Sequence, residues 1–321
     1  MKKSTHGKYE RRNKPNLLLI LLCLLFLGLA GFSGYKVVTI SMEYQKGEQT
    51  YEALQQYIQL PAVTTPTPTA SVPDSTGSGH TPSAPLPDDP SALTPEVFVS
   101  PVDFEALWQI NPDIVGWIYI PETSINYPIV QGESNDTYLY HLFNGEYNRS
   151  GSIFMDYRNT PDYSDINTVI YGHHMGDGTM FADIVKYRKQ SYYEAHSTGF
   201  LFTPTRTYEL SFFTGYVTDM TDDAWQMDFE SEADYADWLR DSAARSQFHA
   251  GILPSLSDRL LTLSTCTYEF DDARYVLVAI MQYAFTIRPG ALPGWIYYAQ
   301  TARMRKHPGG CCLVMGKDYL R

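Results

Sequence analysis

The sequence predicts a mainly β domain, a barrel or sandwich with a few peripheral helices, carried behind one membrane-spanning helix. Three observations lead there. Strand-like runs rich in Val, Ile, Tyr, Phe and Thr recur between residues 117 and 283, separated by Gly, Pro, Asn and Asp. An uncharged apolar run occupies Leu17 to Phe32. A stretch dominated by Pro, Thr, Ser, Gly and Ala stands between the two. The chain of 321 residues has room for two average domains, but its non-globular stretches leave one folded unit, over residues 102–285.

Residues 1–16 form a basic head in which Lys2, Lys3, Lys8, Arg11, Arg12 and Lys14 are opposed only by Glu10. That head suits an anionic lipid surface. The rest of the chain is acidic, with a formal net charge of -12 overall, and an acidic body without a basic stripe excludes nucleic acid as a partner. Residues 17–35 read as a signal-anchor: the apolar run is slightly shorter than the ~20 residues a spanning helix needs, and Tyr35, Val37 and Val38 extend it. The positive-inside rule places the N-terminus in the cytoplasm and the remainder outside, in the manner of a single-pass membrane protein. Cleavage after the small residues Ala30, Gly31 and Ser33 is the rival reading, and it too exports the remainder.

Residues 36–60 read as a stalk, with Tyr51, Leu54, Tyr57 and Ile58 at helical spacing, as in a solvated linker helix. Residues 61–101 cannot bury enough apolar surface to fold and read as a tether. A short helix follows, with Phe104, Leu107, Trp108 and Ile110 on one face and an end at Asn111-Pro112. Strands are expected at WIYIP, INYPIV, GSIFMD, NTVIYG, YELSFFTGYVT, RLLTLSTC and RYVLVAIMQY. Two helices interrupt them. One lies around Met180 to Tyr187; the other runs from Ser231, its candidate cap, to about Phe248, with Tyr235, Trp238, Leu239 and Ala243 as its apolar face. Residues 286–321 form a tail with no clear periodicity and no assigned role.

Of four cysteines, Cys23 lies in the apolar run and Cys311 and Cys312 are adjacent in the tail, so Cys266 stands alone in the folded unit. A lone thiol there is either a buried small hydrophobe or a reactive group. Cys266 ends the strand RLLTLSTC, and a nucleophilic thiol needs a base or a cation nearby to become thiolate. Arg274 opens the next strand, so a hairpin-like return brings its guanidinium beside the sulfur, where it would donate to a developing oxyanion. Among eight histidines, His173 and His174 follow the strand NTVIY and Gly172 at a strand end like that of Cys266. Adjacent residues leaving a strand point to opposite sides, so one of the two should face the thiol. Each residue has a bland reading too: a buried Cys, a solvated His, and an Arg paired with Asp271 or Asp272.

TLSTC with Arg274, together with TVIYGHHMGDGTMF, resembles the catalytic signature of sortases, and TLSTCTYEFDDAR resembles class B members. The similarity extends through GWIYIPETSINYPIVQG, YLYHLFNG and GSIFMD, covering about residues 103–283, and the helix before the TLSTC strand resembles the one that distinguishes class B. The resemblance implies an eight-stranded sortase-type β-barrel and cleavage after Thr in a sorting motif, followed by acyl transfer to an amine. It carries the nucleophile to Cys266, the histidine to His173 and the arginine to Arg274, and makes Ser264 and Thr265 candidate substrate-binding residues, although either reads equally as an ordinary strand residue. Implied partners are surface proteins bearing a C-terminal sorting motif and an amine on a peptidoglycan precursor or a pilin, at a Gram-positive cell surface. No cofactor is expected, and no carboxylate cluster calls for calcium. A membrane-tethered β-domain that only binds a partner is the rival from another class. An L,D-transpeptidase would be expected to place its Arg much closer to its Cys.

Overall fold

The computed structural model describes residues 17–60 and 98–284. The basic head, most of the Pro-rich stretch and the tail with Cys311 and Cys312 lie outside the described residues. Helix α1 runs unbroken from Leu17 to Glu52, and a 3-10 turn continues it over Ala53–Tyr57. The apolar part of this helix is long and apolar enough to cross a membrane.

The lower half of α1 departs from the solvated stalk that its sequence suggests. Tyr51, Leu54 and Ile58 are buried in the main core of the β domain. Burial of an aliphatic side chain such as Leu54 or Ile58 contributes about 1.5–3 kcal/mol each, which is enough to hold a helix against a barrel. The backbone closes the join: Ile58 bridges Val102, Gln59 N–H donates to the Pro101 carbonyl, and Asp103 N–H donates to that of Tyr57. The two ends of the Pro-rich stretch therefore meet on one surface, and residues 51–60 belong to the folded unit.

Helix α2 (Phe104–Trp108) is capped by Asp103, whose carboxylate accepts from Ala106 N–H; it buries Phe104 and Leu107 and leaves Trp108 and Ile110 exposed. The strands are β1 (Ile114–Tyr119), β2 (Asn126–Val130), β3 (Ile153–Met155), β4 (Asn167–Tyr171), β5 (Thr198–Phe202), β6 (Thr207–Thr218), β7 (Arg259–Cys266) and β8 (Arg274–Tyr283). They close a barrel in the order β1-β2-β3-β4-β7-β8-β6-β5, with β2–β3 and β4–β7 parallel. The seven expected strands are present, and the eighth is β5, TGFLF, which lies between β1 and β6. Between β4 and β5 come a 3-10 segment over Ala182–Arg188, where a helix was expected, and the short α3 (Gln190–Ala195).

Helix α4 (Glu232–Ala244) has Ser231 as its cap, accepting from Asp234 N–H at 3.2 Å. It buries Tyr235, Trp238 and Leu239 against Phe213, Leu260, Val278 and Ile280 on the outside of the barrel. Strand β7 is thereby covered on both sides, its Leu261 and Leu263 facing the main core and Leu260 facing α4.

Candidate active site

Strand register brings the candidate residues to one end of the barrel. β4 and β7 run parallel with Tyr171 beside Ser264, so His173 and Cys266, each two residues further on, leave the sheet at the same level. Gly172 N–H donates to the Ser264 carbonyl at 3.1 Å, extending the ladder to the residue before His173. β7 and β8 run antiparallel, and the last pair of their ladder is Cys266 with Arg274. His173, Ser264, Thr265, Cys266 and Arg274 line one groove of about 570 Å³.

Cys266 is a free, partly exposed thiol. Arg274 donates from Nη1 to the Ala273 carbonyl at 3.0 Å and sets Nη2 3.1 Å from the Met220 sulfur. A guanidinium has five N–H donors, so three of them are left over from these two contacts. The two histidines diverge, as adjacent residues beyond a strand should. His173 lies over the groove, its Nε2 2.7 Å from the Leu139 carbonyl and its ring stacked on Tyr140. A carbonyl only accepts, so Nε2 carries the hydrogen and Nδ1 is the nitrogen left to exchange a proton. His174 instead turns away, with Nδ1 donating to the Cys266 carbonyl at 3.1 Å and its ring against Tyr268.

Ser264 and Thr265 have structural duties as well as places on the groove. The Thr265 hydroxyl, almost fully buried, donates to the Gly172 carbonyl at 2.7 Å and ties β7 to the strand end that carries His173. The Ser264 hydroxyl accepts from Trp225 Nε1 at 3.2 Å.

Sequence reasoning did not single out the groove walls. On one side Asp156, with no exposed surface, accepts from Arg158 Nε and Nη2 at 2.9 and 2.8 Å, from Tyr171 Oη at 3.0 Å and from Asn135 Nδ2 at 3.1 Å. Burial raises its pKa, but these hydrogen bonds outweigh burial and hold the carboxyl below the usual carboxylate range. One buried charge thus orders Arg158, Tyr171 and Asn135, all on the groove. On the other side Arg245, at the end of α4, grips Asp222 at 3.0 and 2.7 Å and lies 4.1 Å over the Tyr216 ring. Asp222 caps the turn Asp223–Trp225 that presents Trp225 to Ser264.

A third support lies behind Cys266. Arg188 donates to the Thr267 hydroxyl at 2.6 Å, pairs with Glu269, and stacks 5.4 Å from the Tyr275 ring. Burial raises the Glu269 pKa, but hydrogen bonds from Thr267 and Arg188 outweigh it and hold the carboxyl below its ordinary range. Arg188 lies far upstream of Cys266, so local sequence gives no sign of the pairing. Among the described residues no group of three or more His, Cys, Asp or Glu is placed to hold a metal.

The sortase domain model matches residues 118–282. The chain is 35% identical over 265 residues to sortase B of Staphylococcus aureus, covering 82% of this chain and 93% of that protein. It is 41% identical over 165 residues to sortase B of Listeria monocytogenes, covering 51% of this chain and 67% of that one. Among solved structures, the crystal structure of S. aureus sortase B superposes with a TM-score of 0.54 at 40% identity, over 56% of this chain and 87% of that one. Sortase B of Bacillus anthracis in complex with AAEK1 gives 0.60 at 30% identity, over 76% of this chain and all of that one.

Proposed function

Since the chain belongs to the sortase family, with class B members among its relatives, and is a cysteine transpeptidase of that type, we propose that it cleaves a sorting motif after Thr through a thioester on Cys266 and passes the acyl group to an amine. The observation that carries this reading is the ladder pair Cys266–Arg274 at the mouth of a groove that His173 also lines. The Cys266 thiolate attacks the scissile carbonyl. Arg274, swinging from the Met220 sulfur, donates to the oxyanion that forms. His173, protonated at Nδ1, gives that proton to the leaving amine as the tetrahedral intermediate collapses to the thioester. The acceptor amine then loses a proton to His173 as it attacks, and the thiolate is released.

An S. aureus sortase B structure is described as a substrate complex, and a further sortase B structure as a complex with triglycine. These support a peptide motif as acyl donor and an amine as acceptor for this chain too, with the surface proteins and the peptidoglycan or pilin amine that its sequence implies. Attached to α1, the barrel works as a single-pass membrane protein with the groove on the outer side of the cell membrane. Ser264 and Thr265 contribute the groove floor beneath the bound motif.

The full-length chain in detergent, mixed with Pro-Xaa-Thr peptides and an amine, tests this by mass spectrometry. A thioester adduct on Cys266 and an amine-ligated product are expected, and both should vanish in Cys266→Ala. Cleavage that survives Cys266→Ala, or a Cys266 thiol inert to alkylation with no peptide cleaved, overturns the reading.

A further inference from the structure

The catalytic histidine proposed above lies beyond the end of β4, and what holds it comes from elsewhere in the fold. We propose that Tyr51, on the membrane-proximal helix α1, is a positioning residue for the active site, holding His173 through two short chains of contacts.

The first chain runs through the loop that supplies the His173 acceptor. Tyr51 Oη lies 2.7 Å from the Gly151 carbonyl and 3.1 Å from Ser152 Oγ, and is fully buried with them. Gly151, in the left-handed region at φ 56°, sits against the backbone of Tyr138 and Leu139 so closely that no side chain fits there. Ser152 N–H donates to the Tyr138 carbonyl at 3.1 Å, and Ser152 Oγ donates to that of His141 at 2.9 Å. Leu139, between those two anchored carbonyls, is the residue whose carbonyl accepts from His173 Nε2.

The second chain reaches the other side of His173. The Tyr51 ring meets the Tyr127 ring edge-on, with centroids 5.2 Å apart. Tyr127 Oη accepts from Met180 N–H at 3.1 Å. Met180 has a φ of 56°, costly for a side chain with a Cβ, so this loop keeps its shape only while its surroundings hold it. It bridges His174, and the next residue, Phe181, donates its N–H to the His173 carbonyl at 2.9 Å. One tyrosine thus supports both the acceptor of the His173 ring and the backbone of the His173 loop. The helix that carries it is also the one that reaches the membrane.

The proposal rests on His173 being the proton partner, and the test separates the two. In the full-length chain in detergent, kcat and KM for a sorting peptide are measured beside the pH dependence of Cys266 alkylation, which needs no peptide. Tyr51→Phe, which keeps the ring and loses the hydroxyl, is expected to lower kcat about three- to tenfold with KM within twofold, as the loss of one buried hydrogen bond implies. Tyr51→Ala is expected to lower it further and to shift the alkylation profile, with a thermal melt showing the barrel still folded. Lys46→Ala, which breaks the exposed contact of α1 with Glu146, should leave kcat unchanged. Parental kcat and alkylation profile in both Tyr51 variants overturn the proposal, as does a loss of kcat that only tracks the fraction unfolded. If the parent turns over no peptide, the functional reading fails while the alkylation profile still decides the role of Tyr51.

Discussion

Cys266 and Arg274 are held by the sheet, whereas His173 is held by separate contacts beyond it. The first two form the closing pair of the β7–β8 ladder, and both strands run unbroken to that pair. His173 stands past the end of β4, fixed by the Leu139 carbonyl, by Phe181 N–H on its own carbonyl, by the Thr265–Gly172 bond and by the Tyr127–Met180 bond. A ladder is stiff because neighbouring bonds support one another, while separate contacts can be loosened one at a time. Cys266 and the backbone of Arg274 therefore form a fixed half of the candidate site and His173 an adjustable half.

The largest effects should come from the fixed half, where the proposed roles put Cys266 and Arg274 directly on the substrate. Arg274→Ala is expected to lower kcat about 100-fold or more, as loss of a principal oxyanion donor does, with the thermal melt unchanged. Arg274→Lys keeps the charge and loses the planar fork, so it should recover only part of that. A recovery to parental kcat in the lysine variant would mean that Arg274 acts through charge alone.

Gly172→Ala tests the adjustable half. A Cβ there would meet the end of Ile153 and come within 2.8 Å of the Phe181 ring, so the Phe181 ring, next to the loop that carries His173, must give way. Overpacking of this kind costs about 1–3 kcal/mol of stability. A fall in kcat of about tenfold is expected while Cys266, on its own ladder, stays open to alkylation at pH 9. If alkylation falls in step with kcat, the two halves are not separate. Thr265→Val should act in the same direction more weakly: it removes the donor to the Gly172 carbonyl, about 1 kcal/mol in stability, and is expected to lower kcat a few-fold.

The candidate residues themselves were legible in the sequence, and the supports of His173 were not. Cys266, Arg274 and His173 all lie at ends of strongly β-patterned runs, and strand ends can be read from alternation and turn residues. The helix cap at Ser231 and most of the apolar face of α4 were equally visible. Strand β5 was not, because TGFLF is short and begins with Thr-Gly. The supports of His173 were hidden for a different reason: Tyr51, Tyr127, Ser152 and Leu139 are far apart in sequence, and none lies in a charged or cysteine-bearing motif. Nor does helical spacing at Tyr51, Leu54 and Ile58 say whether the apolar face meets water or a barrel; only the fold supplies the partner.

The smallest catalytic effect should come from Asp156, which orders a groove wall and touches neither half directly. Asp156→Asn is expected to change kcat by less than about threefold while destabilising the domain, since Arg158 loses its buried charge partner. The pH dependence identifies the cause. The folded carboxyl titrates below the ordinary Asp value of about 3.9, so its ionised form contributes stability above that pH, and the contribution is lost as pH falls through the folded value. Parent and variant should therefore differ most in denaturant midpoint near neutral pH and converge in strong acid. A difference that stays constant from pH 7 to pH 3 would locate the stabilisation in the shape of the Asp156 network and not in its charge.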